Sequence, residues 1–445
     1  MRSDRFDIVV VGSGPAGSAA AITAARAGRR VAVIDKATFP RDKCCGDGLT
    51  AGALRALEEL GLCPANVKSW EPASRAVVDA PGMDLLELDM PGDGLFAVTA
   101  RRYDLDSALV DLARSYGATV FEGQSVSAVR SCLGGSGVEV ESTSAVSGAS
   151  GASGASGVPG ASGLKLTASY VIASDGAWSP VRKLLGLAEP GYLGEWQAGR
   201  EYIADAGPLS RDLWVFFEAD MLPGYAWSFP LPDGTVNVGY GVLRRPRSRS
   251  ASSLASPGSS GHGALRGQRI DWADRPRIAA VLGPAARPTG PWKSWPIPAR
   301  LGRTPLAGLE GRVLFCGDAA GACDPMTGEG IAQALETAAL AVGCVLQAGP
   351  SRPDAAARRY KRRVHLGMQV DHTLSRVCSE VLTHPHGPAK ALSMVPRRPS
   401  ATGRFARWMF EDYPRAIFLT PHRWRPGTLG RPGAFSALTP GAFPL

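Results

Sequence analysis

The 445-residue chain is poor in the features that mark several protein classes. Its eight cysteines stand at 44, 45, 63, 132, 316, 323, 344 and 378, with no CxxC pair, so neither a structural zinc site nor a secreted disulfide framework is expected. Free thiols in a reducing cytoplasm are the simplest reading. Of six histidines only His384-x-His386 is closely spaced. Pro385 and Pro388 make that stretch a loop, no third ligand stands at useful spacing, and no metal is expected. No run of about 18 uninterrupted apolar residues exists, so no spanning helix is expected. The short apolar stretch 8–11 runs into glycines rather than a signal-peptide layout, which argues against export. With 44% hydrophobic and 20% charged residues, collagen, coiled coil and wholesale disorder are excluded.

The chain does have length and positive charge. At roughly 150 residues per domain it allows two or three domains. Forty-nine basic against 40 acidic residues give a net charge of +9, dense after Arg244. The run Arg358-Arg359-Tyr360-Lys361-Arg362-Arg363 reads either as a solvated helix face or as a patch for anionic lipid, which would make the protein peripheral at the cytoplasmic membrane. Nucleic acid is not an expected partner, since no binding fold or interleaved aromatics accompany the charge.

Two stretches are low in complexity. Residues 142–163 are almost all Ser, Gly and Ala, and 244–267 are rich in Arg, Ser and Gly. Both read as mobile insertions without chemistry, the first a loop linking adjacent strands. The last thirty residues, rich in Pro and Arg, read as an irregular tail.

The chemistry begins at the N-terminus. A β-branched run at 7–11 meets Gly12-x-Gly14-Pro15-Ala16-Gly17, an Ala-rich helix follows to Gly28, and a second strand at 31–34 ends at Asp35-Lys36. This is a βαβ opening with a dinucleotide fingerprint. Gly12 permits the tight turn, Gly14 lets backbone approach a pyrophosphate, and Gly17 allows close helix–strand packing. The helix N-terminus offers N–H donors to the phosphates, and Asp35 is placed to accept from a ribose hydroxyl.

Two later motifs identify the dinucleotide. An apolar strand at 171–174 ends in Asp175-Gly176, and another at 313–316 ends in Gly317-Asp318, followed by Pro325-x-x-Gly328-x-Gly330-Ile331. The ordered trio resembles the para-hydroxybenzoate-hydroxylase-like flavoproteins, which bind FAD. The resemblance implies that Asp318 meets the ribityl chain. It also implies that N–H groups of the 325–331 turn meet the pyrimidine edge, where a helix N-terminus would stabilise negative charge.

Further segments resemble the geranylgeranyl reductase family within that superfamily. They are Phe39-Pro40-Arg41-Asp42-Lys43-Cys44-Cys45-Gly46-Asp47-Gly48-Leu49-Thr50, Arg102-x-x-Leu105-Asp106, and Gly224-Tyr225-Ala226-Trp227-Ser228-Phe229-Pro230, which matches a Tyr-x-Trp-x-Phe-Pro signature. The resemblance spans about residues 5–345. It implies a flavin beside Cys45, Gly46 and Arg102, and reduction of isolated double bonds of an isoprenoid chain by hydride from reduced flavin plus a proton. The chain could belong to menaquinone, a geranylgeranyl diphosphate or lipid, or a terpenoid. Tyr225, Trp227 and Phe229 alternate, so on a strand they form one apolar wall, either of a substrate cavity or of a sheet core. Cys45, Tyr225 and Glu329 are candidate proton donors in no firm order, and Trp227 is a candidate wall for developing positive charge. The electron donor is NAD(P)H or an external reductant.

The expected fold is α/β. A discontinuous Rossmann-like FAD domain (1–62, 100–186 and 305–347) is joined by an antiparallel-sheet substrate domain (63–99 and 187–304) and a basic helical region (348–445). The main rival is a flavin monooxygenase that hydroxylates or epoxidises an apolar substrate. A halogenase and a non-enzymatic flavin-bound partner protein at the membrane stand behind it.

Overall fold

The computed structural model describes residues 4–145, 163–244, 267–396, 398–420 and 430–436. The low-complexity segments read above as mobile insertions lie almost wholly outside the described residues, as does much of the tail.

The strand Asp4–Val11 is flanked on both sides by parallel partners, Val31–Ile34 and Lys165–Ala173. A strand buried on both faces reads as a continuous apolar run, and residues 8–11 are all buried. Thr119–Phe121 extends the sheet beyond Val31–Ile34, and Val313–Phe315 extends it beyond Lys165–Ala173. The strand order therefore reverses between Asp4–Val11 and Lys165–Ala173, and ligands bind outside the carboxyl ends of strands at such a switch point. Val138–Ser144 pairs antiparallel with Lys165–Ala173, so the strands flanking the first low-complexity stretch are neighbours. Ser142 to Ser144 belong to the strand rather than the loop.

Helix Pro15–Arg26 packs between Arg102–Ser115 and the long helix Ile331–Ala348. That last helix is apolar and long enough to cross a membrane by length and composition, yet most of it is buried inside the fold. Gly17 shows why a glycine is required at the crossing. A Cβ there would lie 1.7 Å from the Gly12 carbonyl oxygen.

A second sheet runs in the order Arg287–Pro288, Trp196–Ala204, Val236–Leu243, Tyr225–Pro230, Leu213–Phe216, Arg75–Asp79, Leu86–Asp89, with Lys293–Ile297 also on Trp196–Ala204. It is antiparallel except where Leu213–Phe216 runs parallel to Arg75–Asp79. Alternation gives it two faces. Trp214, Phe216, Ala226, Val238 and Tyr240 form a core with the helix Pro276–Leu282. Leu213, Val215, Tyr225, Trp227 and Phe229 face a cavity.

Beyond residue 350 the chain forms helices Pro353–Val364, Val370–Leu382, Gly387–Ser393 and Pro399–Met409. The described residues 430–436 are anchored to the body of the protein. Ala434 bridges Leu95, the Phe435 N–H donates to Glu58 Oε1 at 2.8 Å, and the Phe435 ring meets Trp70 edge-on.

Candidate active site

One cavity of about 1130 Å³ joins the switch point to the second sheet. It exceeds the roughly 300–1,000 Å³ of a pocket for one drug-sized ligand, leaving room for a dinucleotide and an apolar chain.

At one end Gly12, with φ +91°, lies against Ser174, whose hydroxyl donates to the carbonyls of Val11 and Gly12 at 2.8 and 2.9 Å. Gly14 borders a slot. A Cβ there would meet only the guanidiniums of Arg102 and Arg41, each at 3.7 Å. Asp106, fully buried, holds both. Arg102 donates twice to its carboxylate at 2.7 Å, and Arg41 Nη2 reaches it at 2.9 Å. Arg41 Nη1 is buried with no hydrogen-bond partner among the described residues. Two guanidiniums and a helix N-terminus facing one slot suit a diphosphate, so the residues fit FAD. Asp35 is spent partly on the loop, accepting from Ser13 N and Oγ at 2.6 and 2.9 Å and from Ala37 N at 2.8 Å. Lys36 lines the cavity beside it.

Asp175 differs from the expected ligand contact. Its carboxylate accepts from Ser179 Oγ and Val181 N, capping the short helix Pro180–Leu184, so only the Ser174–Gly176 backbone and edge are left to the cavity. Gly17, Gly317 and Pro325 stand behind the lining rather than in it. Gly317 packs against Ala16 and Ala334, where two helices converge. Asp318 does line the cavity, and Cys323 Sγ donates to its Oδ1 at 3.2 Å.

The segment 41–48 is set by a polar network that sequence reading missed. Asp47, buried at φ +62°, accepts from Tyr202 Oη, Asn237 Nδ2 and Arg102 N. Asn237 also donates to the Cys45 carbonyl and accepts the Trp227 indole N–H at 3.0 Å. Gly46 and Gly48 consequently lie on the rings of Trp227 and Phe229. The aromatic stripe is a cavity wall, with successive ring centroids 6.1 and 6.2 Å apart. The Trp227 ring lies flat because its neighbour is Gly239, where a Cβ would come within 2.3 Å.

Lys43 is a further residue not singled out by sequence. Its ammonium sits 3.4 Å from the Trp295 ring centroid and has no hydrogen-bond partner among the described residues. Burial lowers its pKa to about 8.

Burial pushes the Cys45 thiol up to about 12, against the pull of Arg102, so it is a neutral side chain rather than a nucleophile. Alkylation of Cys45 by iodoacetamide at pH 8 is expected to run at least about a hundredfold slower than that of exposed Cys63, as peptide mapping would read. Equal rates would mean that the thiolate forms. Tyr225 donates its hydroxyl to the Thr327 carbonyl at 2.5 Å, tying the second sheet to the 324–330 turn, and burial raises its pKa.

Glu329 is a buried carboxyl whose behaviour departs from that of a surface glutamate. It lines the cavity, and its Oε1 accepts from the N–H groups of Ile331 and Ala332 at 2.9 and 3.3 Å. One of the turn's donors expected at the flavin's edge, the Ile331 N–H, is therefore spent on Glu329. Burial raises its pKa to about 7, more than those two hydrogen bonds lower it. Beside it Asp324 binds the turn through Met326 N, Thr327 N and Thr327 Oγ1, and its other oxygen accepts from Ser375 at 2.6 Å. Burial opposes ionisation of Asp324, but Arg415, with the Ser375 and Thr327 bonds, outweighs it and lowers the pKa. Arg415 also reaches Glu411 at 3.1 Å, and burial lifts Glu411 to about 8. Sequence reading left residues 348–445 without a role. They supply these partners and much of the apolar lining, including Leu382, Phe405, Trp408 and Phe410.

Comparison with known proteins places the chain in a family. The FAD binding domain family matches residues 5–207. A menaquinone reductase of Mycobacterium tuberculosis is 34% identical over 371 residues, 81% of either chain. A digeranylgeranylglycerophospholipid reductase of Methanopyrus kandleri is 31% identical over 74% of either chain. The crystal structure of a geranylgeranyl bacteriochlorophyll reductase-like protein from Thermoplasma acidophilum shares the fold, with a TM-score of 0.70 at 19% identity over 95% of this chain and 100% of that one. With its FAD cleft opening onto an aromatic wall, this chain belongs to the geranylgeranyl reductase family of FAD-dependent oxidoreductases, the family that includes the menaquinone reductases.

Proposed function

We propose that the enzyme saturates isolated double bonds of a polyprenyl chain, with the side chain of a menaquinone as its substrate. The observation that carries this is the continuity of the cavity. The diphosphate slot opens directly onto Tyr225, Trp227 and Phe229, and onto the apolar side chains of the C-terminal helices, a lining made for a long hydrocarbon. The similarity to menaquinone reductases over most of the chain supports the quinone among isoprenoids.

Bound FAD would supply the hydride, with NAD(P)H or an external reductant as its source of electrons. In this reading Arg41 and the Gly12–Ala16 backbone hold its diphosphate, Asp35 a ribose, Asp318 the ribityl chain, and Cys45, Gly46 and Gly328 to Gly330 border the ring. An unactivated alkene needs a proton on one carbon as hydride reaches the other, and the protein supplies it from Glu329. With Oε1 accepting from two amides, the proton of neutral Glu329 resides on Oε2. The faces of Tyr225 and Trp227 favour positive charge on the more substituted carbon, and the dry lining excludes water.

The test is anaerobic. Protein reduced with dithionite and given menaquinone is expected to raise the quinone's mass by two units per event as the flavin reoxidises, read by mass spectrometry. No change without oxygen, together with a gain of sixteen units in air, would put the monooxygenase in its place.

A further inference from the structure

Among the described residues three large apolar side chains are both exposed and part of the cavity lining, namely Trp178, 39% exposed, and two at the C-terminal helices. Val381 ends the helix Val370–Leu382 and is 49% exposed, and Met394, just past Gly387–Ser393, is 77% exposed. A side chain in both positions marks a mouth, which opens between these two helices. The surface around it is apolar. Val377, one turn before Val381, is 58% exposed. Leu366 and Leu419 are also exposed. Leu419 is held at the start of the same helix, because the Ala416 N–H donates to Asp371 at 2.8 Å. The exposed charges here are mainly positive, with Arg376, Lys390, Arg398 and Arg404 against Glu380.

We propose that this face is a docking surface for an anionic lipid bilayer, seating the mouth in the headgroup region so that a membrane-dissolved chain enters without crossing water. The inference rests on the polyprenyl reading of the cavity and names where the protein meets its substrate. It shifts the expected contact from the run at 358–363 to the helices around the mouth. Exposed aliphatic side chains beside arginines are the composition of an interfacial contact, in which apolar burial and attraction to anionic headgroups act together. The same charge complementarity argues against a second copy of this chain, whose matching face would be equally positive.

The full-length holoenzyme would be mixed with phosphatidylglycerol–phosphatidylcholine vesicles free of quinone, and the bound fraction read by flotation. Wild type is expected to bind anionic vesicles and to leave them in high salt. The variant V377Q/L419Q is expected to bind about tenfold more weakly. R376Q/R398Q is expected to lose about fivefold per residue on anionic vesicles and nothing on neutral ones. None of these four residues lines the cavity, so turnover of quinone in detergent micelles stays at the wild-type rate. Failure of wild type to bind anionic vesicles at low salt overturns the proposal. So does a stable dimer in sedimentation that V377Q/L419Q dissociates. Detergent turnover reports on the polyprenyl reading separately, so the two ideas fail by different measurements.

Discussion

Replacing Glu329 by Gln is expected to lower the rate of double-bond reduction by about 10²–10⁴-fold, the range of a lost general acid. The change is conservative in structure. Glutamine keeps a carbonyl Oε1 to accept from Ile331 and Ala332, so the helix start is retained. What it removes is a proton held near neutrality. Stopped-flow measurement should show reduction of bound FAD unchanged and its reoxidation by menaquinone slowed. The pH profile gives a second readout. With a pKa of about 7, wild-type turnover is expected to fall above neutrality, whereas the E329Q profile should lose that limb. Equal turnover in the two proteins would remove Glu329 from the proton path. Stability should follow the same carboxyl. Its folded pKa is raised above the unfolded value of 4.5, so its contribution is fully present below about 4.5 and is lost as pH rises through about 7. By the conversion of 1.36 kcal/mol per unit this amounts to about 3 kcal/mol. Glu411, lifted to about 8, acts in the same sense, while Asp324, held low, acts in the opposite sense in acid.

The second large effect is expected at Arg102. R102L leaves Asp106 wholly buried with Arg41 as its only guanidinium partner among the described residues. Breaking a buried pair by removing one member costs about 3–5 kcal/mol. R102L should therefore unfold at distinctly lower denaturant concentration and be isolated without flavin. The double variant R102L/D106L separates the two consequences. With no orphaned carboxylate it should recover most of the stability. It should still bind FAD weakly, because Asp106 no longer orients Arg41 toward the slot. Recovery of both properties would mean that the pair serves the fold alone.

The FAD half of this molecule was legible in the sequence because its constraints are local. Gly12, Gly14 and Gly17 act within one turn, and Asp35 ends the next strand. The aromatic stripe was legible as a pattern, but whether it faced a cavity or a core depends on what packs against that face of the sheet, which no periodicity in 225–230 encodes. Asp175 has a second task that spacing alone does not reveal. An Asp-Gly after a strand suits either a ligand or a helix cap, and Ser179, four residues on, claimed the carboxylate. The network of Asp47, Asn237 and Tyr202 joins residues 155 to 190 positions apart and carries no spacing signal. Arg415 and Glu411 were invisible because charge in a basic helical region reads as solvated surface, and only burial beside Asp324 gives it another meaning.

The anchoring of the C-terminal segment has a consequence for how the cavity comes into being. Phe435 bonds Glu58 across 377 positions, and Arg55 bonds Asp412 across 357. The nucleotide loop leaves the ribosome hundreds of residues before the helices that complete the apolar wall. Contacts of such separation form late, since the chain between them must be ordered first. During synthesis the βαβ unit can fold while the cavity beside it is still an open, greasy trough. The enzyme acquires an interior dry enough for its chemistry only when its last helices close over the work of its first strands.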